Sequence, residues 1–311
     1  MAHPEHSLET ITPPSAFQQT WRAAARLGRF FRRLFSDRQS AIGTTVVFFF
    51  LALVVFGPAV APYTANDQSS PPLQPPGPAN PFGTDALGRD IFSRVILGTR
   101  SIFVTAGTGT LIAVAVGAVL GLFMGYQGGL FDEVVSRVID AFLALPALLI
   151  ALVVLGVIRN MEFEAGSWQA ALADSSVLLQ IALVYVTIVA REVRSRALEV
   201  KTREFVQAAQ IRGESRLYII FREVFPSVVP PLVVEASLRF SYAIFLVASL
   251  GFLGAGARPP SPDWGLMVNE NRRIYQVAPW ALSYPAAAIA LLVIGVNLMS
   301  DGIKNIIQRG E

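Results

Sequence analysis

Apolar residues in this chain gather into six long runs: Ala41 to Ala61, Phe103 to Tyr126, Val138 to Ile158, Val177 to Ala190 with flanks, Leu232 to Leu253, and Tyr284 to Met299 with flanks. A helix needs roughly 20 mostly apolar residues to cross about 30 Å of hydrocarbon. Five runs meet that requirement directly. The Leu232 to Leu253 run carries Glu235 and Arg239, each costing about 2.5–3.5 kcal/mol at a helix centre. Both lie in its first turns, four residues apart on one helical face, where interfacial water and mutual pairing lower the cost. The pattern predicts an all-α polytopic membrane protein with six spans.

The intervals between runs add detail. Ahead of the first span Phe17, Trp21, Ala24, Gly28, Phe31 and Phe35 recur at helical spacing beside Arg22, Arg26, Arg29 and Arg33. That pattern fits a basic helix lying on the inner leaflet, or a basic topology signal without defined structure. From Pro62 to Pro81 the sequence "PYTANDQSSPPLQPPGPANP" suits neither a central strand nor a helix and predicts an extended external loop. Ile91, Val95 and Ile96 then fit an amphipathic helix against the outer surface before the second span. The division expected is a tail over 1–40, a first span over 41–61, an outer loop over 62–100, a five-helix core over 101–304 and a second tail over 305–311. Within the core, residues 191–229 form a cytoplasmic loop.

Composition orients the molecule. The 311 residues are 53% hydrophobic and 15% charged, with mean hydropathy +0.52. With both ends inside, the inner segments hold 17 Lys and Arg against seven in the outer loops. The pI of about 9.4 reads as this bias; no nucleic-acid motif accompanies it. Ala59-Val60-Ala61 resembles a signal-peptide cleavage site, but the run is longer than a signal core of about 7–15 residues and Pro62 follows. There is no cysteine for a disulfide or thiolate metal site, and the two histidines, His3 and His6, lie in a polar tail. The only lysines, Lys201 and Lys304, follow Val200 and Ile303, so no Gly-Lys-Ser or Gly-Lys-Thr phosphate loop exists and ATP chemistry must lie elsewhere.

Three sets of residues stand out within the spans. Gly117, Gly121 and Gly125 form a small-residue stripe that lets another helix approach closely. Arg137 and Asp140, three apart, are candidates for an ion pair near the interface, with a kink at Pro146. Glu235 and Arg239 are the second candidate pair.

The cytoplasmic segment "EFVQAAQIRGESRLYIIFREVFP" (204–226) is charged, helix-prone and interrupted by glycine. Phe205, Ala208 and Ala209 mark a first short helix, Gly213 a bend, and Leu217, Ile220, Phe221 and Val224 one stripe of a second helix stopped by Pro226. Two such helices fit a groove in another protein, or rest on the inner leaflet.

Gln207-Ala208-Ala209, the spaced Gly213 and Val224-Phe225-Pro226 resemble the EAA loop of ABC importer permeases. "FGTDALGRDIFSRVILGTR", "GYQGGLFDEVVSRVIDAFLALP" and "GFLGAGARPPSPDWGLMVNENR" extend the resemblance, in order, to the C-type permease of dipeptide, oligopeptide and nickel importers, from Pro81 to Asp301. The resemblance implies the type I importer fold: six transmembrane helices, an N-terminal interfacial helix and cytoplasmic coupling helices. It implies an inner-membrane subunit without catalytic residues or cofactor. Its partners would be a second homologous permease, two ATP-binding subunits that hold ATP and Mg, and an extracytoplasmic solute-binding protein, most often for di- or oligopeptides. Gln207, Ala208, Ala209, Gly213, Leu217, Phe221 and Pro226 are the implied ATPase-coupling residues. The chain departs from the family at Gln207, where Glu is usual, at Phe225 in place of Leu, and at Val247, where an acidic residue is usual.

Two other classes compete. A gradient-driven secondary transporter would use Asp140, Glu235 and Arg239 for ion coupling. An intramembrane enzyme would need a nucleophile or paired carboxylates, and the spans carry no His, Cys, Ser-Lys or paired-aspartate arrangement.

Overall fold

The computed structural model describes residues 28–159, 161, 167–169, 173 and 175–308. Phe17, Trp21, Ala24, Arg22 and Arg26 of the expected basic helix lie outside these residues. Residues 28–34 are helical, and Phe31 meets Phe48 of the first span with ring centroids 6.1 Å apart. Nine longer helices follow among the described residues: α1 Arg38–Val60, α2 Ile91–Gln127, α3 Gly129–Leu143, α4 Ala147–Arg159, α5 Ser176–Lys201, α6 Glu204–Ile211, α7 Arg216–Phe252, α8 Trp264–Asn271 and α9 Pro279–Gln308. Five of them, α1, α2, α5, α7 and α9, are long and apolar enough to cross a membrane.

The run expected as the third span is broken. α3 and α4 meet at 86° across a few residues. Pro146 lacks an amide hydrogen and disfavours helical geometry in Leu145, so the chain leaves the helix at 144–146 and re-enters with Pro146 Oxygen accepting from Leu149 and Ile150. Where the sequence predicted a kink, the structure has a corner. The amphipathic helix expected on the outer surface is likewise not separate: Ile91, Val95 and Ile96 form the first turns of α2, buried at 0%, 8% and 4% exposure. Asp90 caps that helix, its carboxylate accepting from the Ser93 amide at 2.7 Å.

Close backbone approach joins the helices. Along α2, Gly109, Gly117, Gly121 and Gly125 all face α5; a Cβ on Gly117 would lie 2.8 Å from that of Val189, and one on Gly125 2.7 Å from that of Ala197. Each clash is too close to relieve without parting the helices, so this seam depends on small residues. Gly43 of α1 and Gly295 of α9 approach one another's helices in the same way, against Leu298 and Val46.

The end at which α2 begins is locked by polar contacts. Asp85, Arg89, Arg94 and Glu270 come together: Arg89 Nε donates to Asp85 Oδ2 at 2.6 Å and its Nη2 to Glu270 Oε2 at 2.7 Å, while Arg94 Nη2 lies 3.4 Å from the same Glu270 oxygen. Arg94 also donates to the Ser261 carbonyl at 3.3 Å. Beside this network the fully buried Trp264 donates from Nε1 to the Val95 carbonyl at 2.9 Å and meets Phe50 edge-on. The loops before α2 and after α7 are thereby fastened together. Asp263 caps α8 by accepting from the Leu266 amide at 3.0 Å; burial pushes its carboxyl above the usual range, opposed by the amides of Leu266 and Gly265.

Candidate functional site

The segment between α5 and α7 is built at the opposite end from that lock. α5 ends at Lys201, whose ammonium donates to the Tyr126 carbonyl at the C-terminus of α2, where the helix dipole favours a cation. After a two-residue turn α6 begins, and it closes in a Schellman motif: the Gly213 amide donates to Gln210 and the Glu214 amide to Ala209. Gly213 stands at φ +79°, a conformation costly for any residue with a Cβ, although nothing lies within 4 Å of where that Cβ would be. The constraint is conformational rather than steric.

Ser215 caps α7 by accepting from the Tyr218 amide at 3.3 Å. The helix then widens into a π-turn over Ile219–Val224, in which the Phe225 amide reaches back five residues to Ile220. Pro226 follows at once and does not stop the helix, contrary to expectation; α7 runs on through Pro230 and Pro231 to Phe252. In an unbroken α-helix Pro226 would leave the Arg222 carbonyl without its donor and press its ring against it. The π-turn changes the register just there, which is its usual role in accommodating an irregularity.

The same turn splits the expected stripe. Ile220 and Val224 face into the bundle at 0% exposure, packed with Val206 and Ala209 onto the C-terminal ends of α2 and α5, whereas Leu217 and Phe221 are 58% and 43% exposed. Ala208 is exposed and Ala209 buried. Phe205, Ile211 and Tyr218 are exposed as well. Arg212 sits at its margin, 3.5 Å from Glu223. Gln207 points out to solvent, and its amide donates to the Thr202 carbonyl at 3.2 Å, tying α6 to the end of α5.

The candidate ion pairs fare differently. Arg137 and Asp140 do not pair: Arg137 bonds Glu133 one turn earlier at 2.7 Å, and Asp140 meets Arg191 of α5 at 2.9 Å. On a helix the i,i+4 spacing of Glu133 and Arg137 matches the side-chain geometry at least as well, and Asp140 lies on the face toward α5. Asp132, which the sequence reading did not single out, holds Arg194 of α5 through both carboxylate oxygens. Glu235 and Arg239 lie 2.7 Å apart, and the guanidinium sits over the rings of Tyr242 and Tyr185 at 5.0 and 5.9 Å. Among the described residues no cluster of His, Cys, Asp and Glu has the arrangement of a metal site.

The described residues thus form a bundle with five helices long and apolar enough to cross a membrane and an exposed apolar face on the segment between α5 and α7. The comparisons give the family. Residues 117–310 match the family described as binding-protein-dependent transport system inner membrane component, and residues 26–76 match the N-terminal TM domain of oligopeptide transport permease C. The chain is 35% identical, over 98% of its length and 96% of the relative's, to the dipeptide transport system permease protein DppC of Alkalihalophilus pseudofirmus. It is 32% identical to DppC of Haemophilus influenzae over 95% of each chain. It is 34% identical to the glutathione transport system permease protein GsiD of Escherichia coli, over 89% of this chain and 88% of that one. The chain belongs to the binding-protein-dependent transport system inner membrane components, and is a multi-pass permease subunit of an ABC importer.

Proposed function

We propose that this chain forms half of the translocation pathway of an ATP-driven importer for di- or oligopeptides, beside a second homologous permease. The single observation that carries the coupling mechanism is the outward apolar face of α6 and early α7 on a helix that continues unbroken into a span. On this reading two ATPase subunits bind ATP and Mg, and each receives such a face in a groove. The chain itself performs no catalysis and holds no cofactor. Both termini lie in the cytoplasm, in keeping with the excess of Lys and Arg on that side. An extracytoplasmic binding protein delivers the peptide to the outer end; the names of the relatives support this cargo.

Coupling follows from the packing. When ATP closes the ATPase dimer, the grooves shift the two short helices as a unit, because the Gly213 turn and the buried packing of Val206 and Ala209 with Ile220 and Val224 fix their mutual angle. Ile219, Ile220 and Val224 press on α2 and α5 through a continuous buried cluster, and α7 carries the rest of the displacement into the bilayer. The test is reconstitution with ATPases and binding protein. Dipeptide uptake that needs ATP and survives collapse of the proton gradient supports the reading; uptake that persists without ATP and fails with the gradient overturns it in favour of a secondary transporter.

A further inference from the structure

A cavity of about 350 Å³ opens between α5, α7 and α9 at the α6 end of the molecule, lined by Glu192, Arg196, Glu199, Lys304 and Glu235 among others. Arg196 and Arg203 are engaged with Glu192 and Glu199. Glu235, deeper along α7, pairs with Arg239, one turn further into the span, and faces Glu192 of α5 across the cavity. Three features of that pair are unusual together. Its side chains are 14% and 16% exposed, so both ions are largely removed from water. Arg239 Nε is itself buried, 2.7 Å from the Glu235 carboxylate. The helix face continues past the pair to Tyr242, which is 52% exposed and not covered by this chain.

Ionised groups inside a span face a bundle interior or a water-filled path rather than lipid. A buried pair is costly to break by taking one partner away, since the other charge is then stranded. A ligand carrying both charges avoids that cost: its ammonium meets Glu235, its carboxylate meets Arg239, and no charge is left alone. We propose that Glu235 and Arg239 form a substrate-contact station on the pathway that admits short peptides with both termini free and disfavours those carrying a single terminal charge. This rests on the peptide-importer reading and adds to it a filter downstream of the binding protein.

The experiment compares uptake of dialanine and N-acetyl-dialanine by the complete reconstituted importer, with one binding protein throughout, for the wild type and the double variant E235Q/R239Q, which removes both charges and strands neither. The wild-type preference for dialanine should fall at least about fivefold in the double variant. An unchanged preference overturns the station while leaving the peptide reading intact. No dialanine uptake by the wild type overturns both. In the unmodified importer, a zwitterionic dipeptide bearing a diazirine should label residues 235–242 during turnover; labelling confined to other segments also overturns the station.

Discussion

The two ends of the molecule solve opposite problems. At the end where α2 begins, the outer one on the proposed orientation, Asp85, Arg89, Arg94 and Glu270 satisfy one another in a nearly closed network next to a fully buried Trp264. At the inner end Phe205, Ile211, Leu217, Tyr218 and Phe221 stand exposed on a backbone that is itself tightly fixed. An ionic lock complete within one chain makes loops stay where they are. An apolar surface left open on rigid helices is unfinished, and in a stable protein such a surface marks a place for a partner.

This contrast can be broken from either side. The largest effect is expected at the outer end: Glu270→Ala leaves two buried guanidiniums short of a partner and should cost about 3–5 kcal/mol, read as a drop in thermal stability in detergent, with ATPase binding kept in whatever protein remains folded. At the inner end the double change L217D/F221D should do the reverse, lowering ATP-dependent uptake and ATPase copurification at least about tenfold with little change in thermal stability. Gly213→Val forces a β-branched residue into a left-handed conformation costing about 1–2 kcal/mol or more, and should uncouple ATP hydrolysis from uptake while the permease still assembles. Gln207→Glu replaces a donor by an acceptor opposite the Thr202 carbonyl and should cost about 1 kcal/mol locally, seen as faster amide exchange in α6. The smallest effect concerns pH. Because the Asp263 carboxyl is raised above 3.8, the folded state binds its proton more readily than the unfolded one, so stability falls as pH rises from about 3.8 to the folded value and is flat beyond. Asp263→Asn should abolish that slope in pH-dependent denaturation.

Length and hydropathy made the spans readable from the chain, since about 20 apolar residues in a row admit few other readings, and the family was readable from the resemblance of the 204–226 loop and three further stretches. Contacts between distant segments were not readable. Arg89 and Glu270 are separated by 181 positions and Asp132 and Arg194 by 62, and a single sequence carries no sign of which charge meets which. The π-turn escaped for a different reason. Periodicity assumes a constant rotation per residue, so it put Leu217, Ile220, Phe221 and Val224 on one face, and the wider turn parted them. Pro226 could have served as the signal, because a proline soon followed by Pro230 and Pro231 must be reconciled with a long apolar run.

α2 is 37 residues long without a break, about 55 Å at 1.5 Å per residue. Its first turn holds Arg94 in the outer network and its last turns hold Leu122 and Tyr126 beneath the inner face. Zipped to α5 along its glycines, it is a rod rather than a hinge: a tilt of about 5° at one tip sweeps the other by about 5 Å. On the proposed orientation, whatever pulls on the α6 end tugs on the loops around Arg94 in the same stroke, and a receptor seated there would feel the motor without any relay in between.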